Sequence, residues 1–263
     1  MNLPLQGERN SMKSIAMLVF FILAFPICGP LWAQEKTTLQ SVDFSSRRWI
    51  VRRTTKPEGP GGNTFGGKDI NVVANADGSL TLRISQKDGL WYAAEVTSQL
   101  RMGYGEYIFR LRTPPKDLDP NVVLGLFTYS GGAAYNHREI DIEFSAWGIK
   151  NSPVKGQYVI QPYQNPGQLF TFDISRIKEP ASYSFIWTEG RIDFSSWKGS
   201  GPRPADGSPD MLAAWSFADP KAVPRPSPNV HMNLYLVKGE VPPAGRGLTE
   251  VTIDSFEFIP IKK

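Results

Sequence analysis

Cysteine is almost absent from this sequence, since Cys28 is the only one among 263 residues. Cys28 lies in an N-terminal segment that we predict to be removed from the mature protein, for the reasons given below. The mature chain would then have neither disulfide bonds nor a thiol for catalysis. Its stability must come from side-chain packing, and the hydrophobic content of 41% is enough to form a core.

Long apolar runs are lacking as well. The run Ile15–Ile27 falls short of the roughly 20 apolar residues that a membrane-spanning helix needs. Arg9 and Lys13 precede this run and Ala33 offers a small residue for cleavage, which is the pattern of a secretory signal. We therefore predict a signal peptide over residues 1–33 and a mature protein that is secreted or periplasmic, with no membrane anchor.

An excess of charge of one sign is also missing. The chain has 29 basic and 25 acidic residues, a net charge of +4, and removal of Glu8, Arg9 and Lys13 with the signal peptide leaves +3. The basic residues are dispersed along the chain rather than clustered. Neither nucleic acid nor an acidic lipid surface is therefore predicted as a partner.

A convincing helical pattern is absent, and most apolar residues recur with a period of two, as over residues 80–85, which is typical of β-strands. The 24 glycines and 22 prolines favour short strands joined by tight turns. Hairpin turns are predicted at Asp77-Gly78 and at Glu189-Gly190, where glycine can adopt a positive φ. We predict an all-β sandwich that forms a single domain over residues 34–263.

Three segments define this sandwich further. Residues Val122–Tyr129 are apolar at both odd and even positions, which indicates a central strand covered on both faces. The apolar pattern changes parity at Asp254-Ser255, which predicts a β-bulge there. Seven prolines between residues 198 and 229 exclude a central strand except around residues 213–217, so we expect a rim loop. This loop is either a plain surface insertion or part of a substrate groove.

The segment with the clearest chemical meaning is 139–144, which reads E-I-D-I-E-F. On a strand, residues two apart share a face, so Glu139, Asp141 and Glu143 would point one way and the apolar residues between them into the core. Like charges in a row on a strand repel each other and acids are depleted in strands. The acidic row therefore indicates a function in addition to structure.

Two carboxyl groups are what a retaining glycoside hydrolase needs, one as nucleophile and one as acid and then base, at about 5 to 5.5 Å from each other. The Cα atoms of Glu139 and Glu143 should be roughly 13 Å apart on a strand, from which two glutamate side chains can converge. Asp141 would couple to both titrations, so that a shared proton could keep Glu143 protonated while Glu139 stays ionised.

Several motifs besides the acidic row occur in the order and spacing of one known family. They are Gly62-Asn63-Thr64-Phe65, Ala94-Glu95, Gly103-Tyr104-Gly105-Glu106-Tyr107, Phe127-Thr128-Tyr129-Ser130-Gly131 and Met232-Asn233-Leu234-Tyr235. From about Val42 to its end, the chain resembles glycoside hydrolase family 16, in particular the lichenase and xyloglucan-transferase branch. The resemblance implies a jelly-roll β-sandwich of the concanavalin A-like type, with substrate lying across its concave face.

The resemblance also implies roles for individual residues. Glu139 would be the nucleophile, Glu143 the acid/base, and Asp141 the residue that positions and tunes the nucleophile. The positions that match sugar contacts in the family are Asn63, Glu95, Tyr129, Asn233 and Tyr235. Asp254 matches a residue that helps to hold a structural calcium ion in many members, whereas the reaction itself would need no cofactor.

Some residues depart from the family pattern or keep two interpretations. His137 stands where lichenases commonly have tryptophan, and Thr97 stands where an arginine is expected. We interpret His137 as a polar residue at the edge of the cleft in preference to a sugar contact, and His231 as structural. Trp147, like Trp91, could stack on a sugar or fill core space.

The sequence therefore predicts a secreted, monomeric endo-glycoside hydrolase whose partner is a polysaccharide. Mixed-linkage β-1,3-1,4-glucan is the favoured substrate. The alternatives are the same chemistry on β-1,3-glucan, xyloglucan or a galactan, and a non-catalytic carbohydrate-binding sandwich. The acidic row argues against the non-catalytic alternative, since a lectin has no need of closely spaced acids.

Overall fold

The structure is a computed structural model that describes residues 39–261. The predicted signal peptide, with Cys28, lies outside the described residues. A front sheet contains ten strands: β1 (Ser41–Phe44), β2 (Arg47–Val51), β3 (Thr64–Phe65), β6 (Ser85–Lys87), β7 (Leu90–Ser98), β9 (Val122–Tyr129), β10 (Ile140–Ser145), β11 (Lys155–Ile160), β12 (Leu169–Asp173) and β16 (Asn229–Leu236). A back sheet contains seven: β4 (Val72–Ala74), β5 (Leu80–Arg83), β8 (Gly105–Leu111), β13 (Ala181–Thr188), β14 (Arg191–Lys198), β15 (Met211–Ala218) and β17 (Glu250–Pro260).

Strand order in both sheets departs from chain order, as expected of a jelly roll. The front sheet runs β1-β2-β7-β16-β9-β10-β11-β12, with β3 and β6 paired to β7, and the back sheet runs β15-β14-β13-β8-β17-β5-β4. All pairings are antiparallel except that of β3 with β7. The only helices within residues 39–261 are two single 3-10 turns, Pro115–Asp117 and Asn136–Arg138. The predicted all-β jelly-roll sandwich is confirmed.

The hydrophobic core lies between the two sheets and is rich in aromatic contacts. Phe144 of β10 meets Tyr183 of β13 edge to face, with ring centroids 4.7 Å apart. Trp49 of β2 meets Phe256 of β17 in the same manner at 5.4 Å. Such pairs contribute about 0.5–1.5 kcal/mol each beyond the area that they bury. They join the sheets face to face, so the opposite face of the front sheet is left to form a site.

The strand predictions made from local pattern agree with the structure. β9 spans Val122–Tyr129 and lies between β16 and β10 in the middle of the front sheet. The register of β17 against β8 shifts between Ile253 and Ser255, which confirms the predicted bulge. The predicted turns at Asp77-Gly78 and Glu189-Gly190 connect paired strands, β4 to β5 and β13 to β14.

The proline-rich segment, residues 198–229, is mostly loop but contains one complete strand. β15 begins at Met211 and ends at Ala218, in a stretch without proline, and pairs only with β14 at the edge of the back sheet. The expected rim loop is therefore interrupted by an edge strand, since the prolines lie on either side of it. Within the described part of the chain, no helix has the length and apolar character needed to cross a membrane.

Candidate active site

A cavity of about 600 Å³ opens on the face of the front sheet that points away from the core. We call it the cleft. Its walls come from β7, β9, β10, β16 and the chain that follows β2. The lining residues are Arg52, Glu58, Gly59, Pro60, Glu95, Gly125, Phe127, Tyr129, Glu139, Asp141, Glu143, His231, Asn233 and Tyr235.

The acidic row forms one wall of the cleft. Asp141 and Glu143 lie on β10, and Glu139 directly precedes the strand in an extended conformation, with φ −88° and ψ 122°. The three carboxylates therefore share a face, as the alternation predicts. Ile140 and Ile142, between them, are fully buried in the core. The buried residues hold the strand in register, so the carboxylates cannot turn away from the cleft without exposing them.

Two glutamine side chains on the neighbouring strand hold the acidic row. Gln157 of β11 lies opposite Glu143 in the register and donates a hydrogen bond from Nε2 to Glu143 Oε2 at 2.8 Å. Gln161, just after β11, donates from Nε2 to Asp141 Oδ2 at 3.0 Å. Each amide fixes one carboxylate oxygen and leaves the other free for chemistry.

Burial and mutual repulsion change the acidity of the row. Burial, with the charges of Glu143 and Glu95, raises the pKa of Glu139 to about 7. Burial also raises the pKa of Glu143 to about 7, although the hydrogen bond from Gln157 opposes this. Burial and the charges of both glutamates raise the pKa of Asp141 well above its ordinary value. The row therefore retains protons near neutral pH, which suits acid and base chemistry.

An ion network on β7 and β16 forms the opposite wall. Glu95 accepts hydrogen bonds from Arg52 Nη1 at 2.8 Å and from His231 Nδ1 at 3.0 Å. Burial by itself would raise the pKa of Glu95, but the contacts with His231 and Arg52 outweigh it, and the pKa is lowered. Arg52 also donates to Glu58 at 3.0 Å and lies 4.0 Å from the centre of the Phe65 ring. Glu95 is therefore ionised at neutral pH, unlike the acidic row.

Aromatic rings from β9 lie in the cleft between its two walls. Phe127 and Tyr129 project from β9 into the cleft. The ring of His231 stacks on Phe127 with centroids 5.0 Å apart, and that of His137 stacks on Tyr129 at 4.8 Å with the planes 10° apart. His137 is not among the lining residues, and its Nδ1 is 3.0 Å from Ser130 O. It supports the aromatic face rather than lining the cleft.

An unusual backbone segment places His137. Residues 135–138 all have positive φ, between 44° and 63°, a conformation that costs about 1–2 kcal/mol per residue outside glycine. Hydrogen bonds from Ser130 N to His137 O at 2.7 Å and from Thr128 Oγ1 to Arg138 O at 2.8 Å hold it in place. The turn ends at Glu139, so the same contacts fix the start of the acidic row.

Asn233 and Tyr235 of β16 line the base of the cleft. Asn233 Oδ1 is buried and has no hydrogen-bond partner within residues 39–261. A Cβ atom at Gly125 would lie 2.5 Å from this oxygen, so a side chain at position 125 would force the amide of Asn233 to move. Burial, together with the charges of Glu143 and the other nearby carboxylates, raises the pKa of Tyr235 well above its ordinary value. Tyr235 therefore keeps its proton and can donate a hydrogen bond.

The cleft brings together seven of the ten predicted site residues: Glu139, Asp141, Glu143, Glu95, Tyr129, Asn233 and Tyr235.

Asn63 is not among the lining residues. Its side chain donates to Leu236 O at 2.7 Å and to Pro60 O at 2.9 Å, and accepts from Leu236 N at 3.0 Å. These bonds join the end of β16 to the loop that contributes Pro60 to the cleft. Trp147 follows β10, is 37% exposed and also lies outside the lining. Sugar contacts by these two residues stay predictions.

Asp254 lies at the bulge of β17 on the back sheet. Its Oδ1 accepts hydrogen bonds from Arg112, with Nε at 2.7 Å and Nη2 at 2.6 Å. Arg112 also binds Asp77 at 2.9 Å. This arrangement does not fit a calcium ion, because a guanidinium already occupies the carboxylate and would repel a cation. Residues 39–261 contain no cluster of three or more histidine, cysteine or acidic side chains placed to hold a metal. Calcium at Asp254 would require Arg112 to move away.

The residues that the sequence interpretation did not assign to the site include Arg52, Phe127, Gln157, Gln161 and His231. His231, interpreted as structural, lies in the cleft beside Glu95. Its position two residues before Asn233 on the same strand was a usable signal. Arg52 had no such signal, because its contact with Glu95 depends on the pairing of β2 with β7.

The comparisons with known proteins identify the fold as the sandwich of β-glucanases. No family model matches the chain, and no curated protein matches it. Several solved structures do, at 17–19% identity. A β-1,3-1,4-glucanase (lichenase) derived from a mouse hindgut metagenome aligns with a TM-score of 0.55 and 18% identity, over 84% of this chain and 98% of that one.

Two mycobacterial structures are similar to the same extent. A Mycobacterium smegmatis glycosyl hydrolase family 16 protein gives a TM-score of 0.55 and 18% identity, over 78% of this chain and 89% of that one. A Mycobacterium tuberculosis protein described as an immunostimulatory antigen and pseudo β-1,3-glucanase gives 0.57 and 17%, over 81% and 91%. At this level of identity the similarity establishes the fold, and function must be argued from the site.

Proposed function

We propose that this chain is a secreted glycoside hydrolase of the family 16 type, which cleaves a neutral β-glucan within the polymer and retains the anomeric configuration. The observation that carries the proposal is the acidic row: two glutamates four residues apart line one cleft, and both have a pKa of about 7. Carboxyl groups tuned in this way serve as acid and base in glycoside hydrolysis. The β-glucanase names of the structural neighbours support the same class of substrate.

The proposed reaction has two steps. Ionised Glu139 attacks the anomeric carbon while protonated Glu143 gives its proton to the departing glycosidic oxygen, which leaves a glycosyl ester on Glu139. Ionised Glu143 then takes a proton from water, whose oxygen attacks the anomeric carbon and releases Glu139. Asp141, which holds a proton near neutral pH, shares that proton with the neighbouring carboxylates and limits the charge of the row.

The charges of the cleft favour a neutral polymer. Five carboxylates line it, whereas Arg52 is already paired with Glu95 and Glu58. A sulfated or carboxylated chain would meet like charges and find no free arginine, which disfavours a sulfated galactan. The rings of Phe127 and Tyr129 offer apolar surfaces for sugar C–H groups. We therefore favour mixed-linkage β-1,3-1,4-glucan, with β-1,3-glucan and xyloglucan as alternatives.

A polysaccharide panel tests the activity directly. The purified chain without residues 1–33 should release reducing ends from at least one neutral β-glucan and none from a sulfated galactan. Product anomers, followed by NMR before mutarotation, should have the β configuration because two displacements restore it. Release of α products would contradict the retaining mechanism, and cleavage of the sulfated polymer would contradict the charge argument.

A non-catalytic carbohydrate-binding sandwich is the second candidate, and the name of one structural neighbour, a pseudo β-1,3-glucanase, gives it weight. Calorimetric titration with glucan oligosaccharides distinguishes the two. Binding without release of reducing ends by the unaltered protein would favour this candidate over the enzyme.

Removal of the amide that holds Glu143 should change the pH dependence of kcat/KM. Gln157 stabilises ionised Glu143 with a 2.8 Å hydrogen bond, so Gln157→Leu should raise the pKa of Glu143. Because Glu143 must be protonated to act as the acid, we expect the basic limb of the kcat/KM profile to move up by about one pH unit. Gln86→Leu, an exposed glutamine on β6, is the matched control. A limb that stays in place or moves down would contradict the assignment of Glu143.

A further inference from the structure

His231 has a position and a set of contacts that the proposed reaction does not use. It lies on β16, opposite Thr97 of β7 on one side and Phe127 of β9 on the other. Its side chain is 13% exposed and lines the cleft. Its Nδ1 atom is 3.0 Å from Glu95 Oε1 and 3.1 Å from Thr97 Oγ1.

These contacts determine which ring nitrogen carries the proton. Glu95 is ionised at neutral pH and can only accept a hydrogen bond. A bare Nδ1 would place its lone pair against the carboxylate, so Nδ1 must carry hydrogen, which Glu95 and Thr97 share as acceptors. When the ring is neutral its free lone pair is then on Nε2, and when the ring is protonated Nε2 carries the second hydrogen.

Two aromatic rings fix the orientation of the imidazole. Phe127 stacks on it with centroids 5.0 Å apart and planes at 29°, and Tyr129 meets it edge to face at 5.8 Å. The hydrogen bonds of the His231 side chain within residues 39–261 all involve Nδ1. The ring contacts and the Nδ1 hydrogen bonds thus fix the position of Nε2, and Nε2 has no protein partner in the described part of the chain.

We propose that His231 is a specificity-determining residue, which binds a sugar hydroxyl of the glucan through Nε2. This inference rests on the proposed function. β16 is two strands from β10, so His231 is about 10 Å from the acidic row. It therefore contacts a sugar further along the chain than the one that is attacked. Together with Glu95 and Asn233, His231 provides hydrogen-bonding groups along β7 and β16, and we expect these groups to select among neutral polymers.

Two substitutions separate this role from a structural one. In His231→Asn the short amide can replace Nδ1 and keep the bond to Glu95, but nothing replaces Nε2. In His231→Gln the longer amide can reach the place of Nε2. We expect His231→Asn to raise KM for the polymer about tenfold with kcat within about twofold, the effect of one lost hydrogen bond. His231→Gln should recover a substantial part of the affinity.

A comparison of short and long substrates supplies the internal control. A short aryl glycoside that does not reach β16 should be cleaved equally by His231→Asn and by the unaltered protein. Oligosaccharide affinity, measured by calorimetry in a Glu139→Gln background, should fall about tenfold on addition of His231→Asn, with thermal unfolding unchanged.

The outcomes distinguish the two proposals. If the unaltered protein cleaves glucan and His231→Asn changes neither KM nor oligosaccharide affinity, the assignment of His231 is wrong and the enzyme proposal stands. The assignment is also wrong if short and long substrates lose activity equally, or if both variants lose the same activity together with thermal stability. If the unaltered protein neither binds nor cleaves any neutral glucan, both proposals fail.

Discussion

Replacement of Glu139 by glutamine should lower kcat on β-glucan by on the order of 10⁴-fold, with substrate still bound. Glutamine has nearly the same shape as glutamate but its amide cannot form the glycosyl ester. Reducing-end release and calorimetric binding, measured on the same preparation, check both parts of the expectation. Glu257→Gln provides the matched control, since Glu257 lies on the back sheet and forms an ion pair with Arg110 at 2.9 Å.

The acid/base role of Glu143 can be separated from the nucleophilic role of Glu139. Glu143→Ala should be slow on polymer, but azide, which needs no base, should restore turnover of a substrate with a good leaving group and give a β-glycosyl azide. Glu139→Ala with azide should give the α-glycosyl azide, because a single displacement inverts the anomeric centre. Exchange of these two product configurations would reverse the assignments. Activity of Glu139→Gln within tenfold of the unaltered enzyme would remove Glu139 from the mechanism.

The free energy of unfolding should fall as pH rises from about 5 to 8. Glu139 and Glu143 have a pKa of about 7 in the folded protein, above their ordinary value of 4.5, so the folded state binds more protons than the unfolded state in this range. Stability from these groups is therefore complete below about pH 4.5 and is lost as pH rises through 7. Glu95 acts in the opposite direction, but only below its ordinary value, since its pKa is lowered.

Glu143→Gln should be more stable than the unaltered protein at pH 8, by roughly 1–3 kcal/mol, and nearly equal to it at pH 5. The substitution removes a carboxylate that burial makes costly to ionise. Urea unfolding at the two pH values measures the difference, and Glu257→Gln should show no such gain. A Glu143→Gln variant that is less stable at pH 8 would mean that the acidic row is not strained by its charge.

The sequence could predict those features of the fold that depend on local pattern. The central strand β9, the bulge of β17 and the common face of Glu139, Asp141 and Glu143 all follow from parity along a single strand. Parity needs no knowledge of the neighbouring strands.

Features that depend on which strands lie side by side could not be predicted in this way. β16 lies between β7 and β9, although 130 residues of the chain separate it from β7 and 99 residues separate it from β9. The contact of His231 with Glu95 arises only from this pairing. Asn63 matched a sugar-contact motif, but its amide is used by the backbone of Leu236. Motif spacing alone does not reveal whether a polar side chain faces a cavity or satisfies the main chain.

Within residues 39–261, the residues that line the cleft lie on strands of the front sheet, in the chain that follows β2 or, for Glu139, directly before β10, and the back sheet contributes none of them. Catalysis and thermal robustness can therefore be optimised on separate surfaces of the same molecule. Exposed positions on β14 and β15 are the natural places for consensus or charge-improving changes, because their effects should add without altering substrate turnover. Directed evolution for a new polymer would instead sample β7, β9 and β16, where any gain in selectivity competes with folding.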